Sequence, residues 1–170
     1  MFYFDVLEEF YKNHVEYLIV GGLAVNLHGI PRVTQDIDFI LAPEKENILK
    51  AVRILSNLNY VPLLPLAPEK LADTEDVISW INEKNMIAFS FHHKTENYKV
   101  IDIVISHNLD FEASYSKATI KKINDIEISI ASINDIITMK QISGREQDKS
   151  DVEMLLKLKR LTDEDGRKGI

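Results

Sequence analysis

The sequence contains no cysteine, which excludes a disulfide framework and thiolate chemistry. It has no apolar run approaching the roughly 20 residues that a membrane-spanning helix needs. Its first residues, MFYFDVLEEFYKNH, lack the basic segment and apolar core of a signal peptide. Positive charge is short: 20 Lys and Arg face 27 Asp and Glu, for a net charge of -7. A protein that grips long nucleic acid through its phosphates needs the opposite balance, so any such contact is left to a local basic patch. There is no internal repeat and no low-complexity linker. These absences lead to the expectation of a soluble, cytoplasmic protein without membrane contact. What is present is 170 residues, 45% of them hydrophobic. That is enough for one domain over 1–170 with a sizeable core, a helical part at 132–161 and a polar, frayed tail at 162–170.

The chain is organised around Tyr17 to Leu41, YLIVGGLAVNLHGIPRVTQDIDFIL. Val15 to Val20 is β-branched and aromatic and reads as a buried strand. Gly21-Gly22 permits a sharp turn and close backbone approach by a ligand. Leu23, Ala24, Val25 and Leu27 suit a short helix whose first N–H groups face that turn and suit an anion. Arg32 and Thr34 follow in a loop, placed to offer a cation and a hydroxyl to a phosphate tail. Asp36 and Asp38 then lie on alternate positions of the next strand and point to one face. Two side-by-side acids repel, so the pair calls for a positive partner; the plain alternative is a solvated strand edge.

The other elements are mostly scaffold. Phe2 to Asn13 and Glu44 to Leu58 show helical spacing of apolar residues. Tyr60-Val61 is a short strand. Pro62, Pro65 and Pro68 break a loop whose leucines, Leu63, Leu64 and Leu66, are expected to pack. Val77 to Ile81 fits either a helix or a strand. Met86 to His92 alternates as a strand. Phe111 to Lys117 is a short amphipathic stretch, and Thr119 to Ile123 with Glu127 to Ala131 form a hairpin around Asn124-Asp125. Ser132 caps a helix that runs to about Ser143, with Asp135 completing a capping-box-like arrangement. A last helix covers Glu146 to Leu161. Asp148 and Asp151 in its first turns suit the helix dipole and pairing with Lys140 or Arg145. Lys140 and Arg145 are alternatively basic contributors to a nucleotide pocket.

Tyr98 to Ile105, YKVIDIVI, is the second informative stretch. It is nearly continuously apolar, as expected of a central strand covered on both sides. Asp102 sits in its middle. An isolated buried carboxylate costs several kcal/mol unless paired or metal-bound, so Asp102 is a candidate third acid. A salt bridge to Arg32 or to a lysine is the plain alternative, and Asp110 is a rival in sequence. His92, His93 and His107 are strand-end or loop residues in this reading. Carboxylates without thiolates suit magnesium better than zinc. If the strand of Asp102 lies beside that of Asp36 and Asp38, the three acids can hold two magnesium ions, with manganese as a substitute. Such a pair clamps the attacking and leaving oxygens of an in-line displacement. Gly21, Gly22 and Arg32 would then hold the triphosphate.

Gly21-Gly22, a thirteen-residue spacer, Asp36-Ile37-Asp38 and a later Asp102 resemble the polymerase-beta-like nucleotidyltransferase superfamily. The wider context, VGGLAVNLHGIPRVTQDIDFIL followed by Arg145, Asp148 and Asp151, is similar to its small prokaryotic branch that includes AbiEii-type toxins. The resemblance implies an α+β fold, a mixed β-sheet flanked by helices with C-terminal helices. It implies magnesium-dependent transfer of a nucleoside monophosphate from an NTP to a hydroxyl on an RNA end, a protein or a small molecule. It also implies a toxin-like role with a possible antitoxin partner. The counter-reading is the same fold kept as a catalytically silent nucleotide-binding or partner-binding module. The acceptor is expected to be written in the loops around Pro62 to Trp80 and in the C-terminal helices.

Overall fold

The structure, a computed structural model, describes residues 3–168, with side chains through residue 162. Helix α1 (Phe4–Lys12) leads into strand β1 (Tyr17–Val20), helix α2 (Gly21–Leu27) and strand β2 (Ile37–Leu41). Helix α3 (Lys45–Asn57), strand β3 (Tyr60–Pro62), a 3-10 turn (Pro68–Ala72) and helix α4 (Thr74–Lys84) follow. Next come β4 (Ala88–His93), β5 (Val100–Val104), α5 (Phe111–Tyr115), β6 (Thr119–Ile123), β7 (Ile126–Ile130), α6 (Ile133–Ser143) and α7 (Glu146–Lys168). The strands form one mixed seven-stranded sheet in the order β3-β4-β5-β2-β1-β7-β6. The α+β architecture is therefore as the sequence implies.

Register explains how the sheet separates core from site. Ile19 stands opposite Phe39, Phe39 beside Ile103, and Ile103 opposite Phe89. All four are buried. This row points to the face covered by α1 and α3, where the Phe10, Tyr17 and Phe39 rings meet at centroid distances of 5.2 to 5.6 Å. The next row, on the opposite face because side chains alternate, reads Val20, Asp38, Asp102 and Ser90. Two carboxylates thus stand side by side because β2 and β5 are parallel neighbours in register.

Several expectations change. β5 is central, but it is not covered on both sides: Ile101 and Ile103 are buried, whereas Val100, Asp102 and Val104 are only half-buried. Val77 to Ile81 belongs to a helix, α4, capped by the Asp73 carboxylate on the Glu75 and Asp76 amides at 2.9 and 3.2 Å. Leu66 packs on the core, but Leu63 and Leu64 are exposed, so the proline loop is not a packed wall. The last helix, expected to stop at Leu161, continues to Lys168. Phe2, assigned to the first helix, and residues 169–170 of the expected tail lie outside the described residues. The Asn124 turn, with φ 53°, and the Ser132 and Gly144 ends of α6 match the sequence reading.

Candidate active site

The site begins where β1 ends. Gly21 has φ +66°, and a Cβ there would lie 1.9 Å from Asp38 Oδ2. Only glycine permits both that backbone and that approach. The glycines are the first residues of α2 rather than a separate turn before it. A Cβ on Gly22 would come within 2.8 Å of Thr34 Oγ1 and 2.9 Å of an Arg32 terminal nitrogen. The loop carrying those groups is folded back onto α2 by Asn26, whose amide donates to the Arg32 carbonyl at 2.8 Å and accepts from the Arg32 N–H at 2.7 Å. Thr34 Oγ1 donates to Asp36 Oδ1 at 2.8 Å. Alanine at position 21 is therefore expected to lower divalent-ion affinity at least about tenfold and the melting temperature by several degrees. Titration calorimetry with manganese and a thermal melt check this.

Asp36 stands just before β2, Asp38 in β2 and Asp102 in β5. Among the described residues, these three form the one group of acids or histidines able to share an ion, their ligand oxygens all lying within 4.8 Å of one another. Burial pushes the Asp38 carboxyl up to about 7; Asp36 and then Asp102 add to the shift, while Lys140 and Arg145 oppose it. Burial also raises Asp102, with Ser90 pulling it down and Asp36 adding to the rise. Asp102 Oδ1 is buried without a hydrogen-bond partner. A buried, unsatisfied carboxylate oxygen beside two further acids fits a hard cation held by oxygen ligands.

A second cluster forms one wall. Lys140 on α6, 5% exposed, is bonded to Asp148 at 2.9 Å and Asp151 at 2.7 Å on α7. Both acids are buried, at 1% and 3% exposure. Asp151 also holds Arg32 at 2.8 Å, and Asp148 holds Arg145 at 2.8 Å. Burial alone would raise the Asp148 carboxyl, but Arg145, Lys140 and Ser143 outweigh it and hold it well below the usual range. The expected pairing of Asp148 and Asp151 with Lys140 and Arg145 is present. The Arg32–Asp151 bond, which ties the loop before Asp36 to α7, has no signal in the sequence.

Gly21, Gly22, Arg32, the three acids, Lys140 and Arg145 line one cleft of about 850 Å³. His107 lines it too, whereas His92 and His93 do not. Asp110 caps α5 through the Ala113 N–H at 2.8 Å and is no part of the acid group. Nor does any of the described residues from Pro62 to Trp80 line the cleft.

Sequence reasoning missed a bridge made by Tyr3. Its buried hydroxyl donates to the Gln35 carbonyl and accepts from the Val100 N–H at 3.1 Å. It thereby bridges the residue before Asp36 to the strand that carries Asp102. Phenylalanine at position 3 is expected to keep the fold and to weaken manganese binding roughly three- to tenfold, the worth of one or two hydrogen bonds. Unchanged affinity in a calorimetric titration would sink that role.

The chain's residues 4–162 match a family model described as nucleotidyltransferase of unknown function (DUF6036). No curated protein matches the chain. Among solved structures, the lincosamide antibiotic adenylyltransferase LnuA, lincomycin-bound, is similar with 18% identity and TM-score 0.60, covering 91% of this chain and 94% of that one. ANT(2")-Ia in complex with adenylyl-2"-tobramycin is similar with 13% identity and TM-score 0.57, covering 91% of this chain and 85% of that one. At such identities the two likenesses establish the fold. No helix among the described residues is long and apolar enough to cross a membrane.

Proposed function

Because this chain belongs to the DUF6036 family of nucleotidyltransferases, we propose that it moves a nucleoside monophosphate from a nucleoside triphosphate to a hydroxyl acceptor. The observation that carries the reading is the shared position of the Asp36, Asp38 and Asp102 oxygens. Asp36, Asp38 and Asp102 are the groups that would hold divalent ions, and all-carboxylate ligation favours magnesium with manganese as substitute. The chemistry such ions supply when bound is charge neutralisation on the phosphates and activation of the attacking hydroxyl.

The chain's own groups divide the remaining work. The Gly21 and Gly22 backbone admits the phosphates closely, because no side chain intervenes. Arg32, Thr34, Lys140 and Arg145 line or flank the same side and supply positive charge and a hydroxyl. The acceptor oxygen attacks the α-phosphorus, the bond to the bridging oxygen breaks, and pyrophosphate leaves with that electron pair. The hydroxyl proton passes to Asp102 or to solvent. The whole of 1–170 is proposed to act as a single domain.

The adenylyltransferases of like fold make ATP the first donor to test. The purified chain is to be incubated with each labelled triphosphate, magnesium or manganese, and cell extract. Label transfer that disappears in Asp36→Ala and Asp38→Ala supports the reading. Tight nucleotide binding with no transfer, across all four triphosphates and both ions, identifies a silent binding module instead. The finer reading, a toxin-like component with an antitoxin partner, rests on the resemblance to AbiEii-type toxins carried by VGGLAVNLHGIPRVTQDIDFIL and the later Arg145, Asp148 and Asp151. It requires that expression of the wild-type chain, and not of Asp38→Ala, arrests growth.

A further inference from the structure

The acid group has two unlike sides. Toward β1 lie the glycine pair and the cations Arg32, Lys140 and Arg145. Away from it, the sheet face continues across β5 and β4, sharing the cleft at its Ala88 and Val104 end with residues 106–108 and α6. Val100, Val104, Ala88, Ser90 and His92 are all half-buried there, while the alternate residues Ile101, Ile103, Phe89 and Phe91 are buried on the other face. Register places Ser90 directly beside Asp102, Ala88 beside Val104, and His92 beside Val100. The face opens at its Val104 end into the cleft and at its Val100 end into a second cavity of about 500 Å³, which also reaches Asp36, the ring of Tyr98 and Arg32, a residue shared with the cleft.

We propose that this open half-sheet, Val100 and Val104 on β5 with Ala88, Ser90 and His92 on β4, is the acceptor platform, and that it takes a small, hydroxyl-bearing molecule of neutral or positive charge. The proposal rests on the nucleotidyl-transfer reading. An in-line displacement puts the attacking and leaving oxygens on opposite sides of the phosphorus. Phosphates on the side of the cations leave the side beyond Asp102 for the attacking hydroxyl. Val100 and Val104 flank Asp102 on its own strand, and neighbouring strands are about 4.8 Å apart, so the β4 half of the platform lies one strand away.

The chemistry of the face selects the occupant. None of its five side chains is a lysine or arginine, and three carboxylates border it. A polyphosphate chain needs cations along its path and meets only Arg32 at the Val100 end, already held by Asp151. An apolar floor with a hydroxyl and an imidazole suits a compact molecule held by contact and one or two hydrogen bonds. An amine on that molecule would be drawn by the acids.

The test uses the full chain with labelled ATP, magnesium and a cell extract divided into small-molecule, RNA and protein fractions. Label in the small-molecule fraction is expected. Label confined to RNA or protein overturns the proposal, even though nucleotidyl transfer itself would stand. Ala88→Trp and His92→Trp, which crowd the platform beside Val104 and Val100 rather than directly beside Asp102, are expected to lower transfer at least about a hundredfold by displacing the acceptor. Binding of a non-hydrolysable ATP analogue should change less than twofold, and it also verifies that each variant has folded. Transfer that survives in a folded variant overturns the location. If the wild-type chain labels no fraction, the function reading fails and takes the platform with it.

Discussion

Asparagine in place of Asp38 is expected to abolish nucleotidyl transfer, by about a thousandfold or more, and to make the metal-free protein more heat-stable at pH 8. The two effects share one cause. The Asp38 carboxyl is pushed up to about 7 by burial first and by Asp36 and Asp102 next. A carboxyl whose pKa is higher folded than unfolded binds more protons in the native state. Its stabilising contribution is present below the unfolded value and is lost as pH rises through the folded one. The metal-free wild type should therefore weaken between about pH 4 and pH 7 relative to Asp38→Asn, which carries no charge at that position. Each pKa unit is about 1.4 kcal/mol, and a domain of this size moves roughly 2–4 °C per kcal/mol. From 3.8 to about 7, these factors put the variant's melting temperature on the order of 10–15 °C higher at pH 8, and much less so near pH 4. Magnesium should close the gap by stabilising the wild type alone. Melting curves across pH, with and without the ion, decide this. An asparagine variant no more stable than wild type at pH 8 would contradict the account of the acid group.

Methionine in place of Lys140 is expected to act in the opposite direction, destabilising the fold by about 3 kcal/mol. The lysine is bonded to two buried carboxylates at once. Breaking a buried pair from one side costs about 3–5 kcal/mol, because the surviving charge is left in a poor solvent. The lower figure applies here, since Arg32 still reaches Asp151 and Arg145 still reaches Asp148. Asp151→Asn in the same chain restores the wild-type net charge of the cluster but takes the partner from Arg32, so it should recover only part of the loss. Urea unfolding of the single and double variants measures both. Lys140→Met that unfolds at the wild-type midpoint would show that α6 and α7 do not depend on this network.

What the sequence revealed and what it hid separate along physical lines. Gly21-Gly22 and Asp36-x-Asp38 stand out in the sequence because backbone freedom and period two are properties of adjacent residues, although the glycines open α2 instead of forming a separate turn and Asp36 precedes the strand that holds Asp38. Asp102 was readable as an anomaly, although the reason differs from a strand covered on both sides. Its strand shows one face to a half-open surface, and the apolar Val100 and Val104 that suggested burial belong to that surface. The Tyr3 bridge and the Arg32–Asp151 bond were not readable. Each joins groups far apart in the chain, and neither residue differs locally from an ordinary core tyrosine or loop arginine. The proline loop misled because leucines usually pack, whereas Leu63 and Leu64 stand in solvent. Val77 to Ile81 was ambiguous as a short apolar run; the Asp73 cap decides it as a helix.

The parallel pairing of β2 with β5 also sets an order of events during folding. The hairpin-like contact of β1 and β2 closes a short loop. By contrast, β2 and β5 meet only after α3, β3, α4 and β4 have been accommodated between them. Long-range closure of that kind is slow and comes after local structure. Asp38 and Asp102 are therefore expected to become neighbours late, after local structure has formed. In a refolding experiment, manganese uptake should lag behind the return of the helical circular dichroism signal and report the moment the sheet is complete.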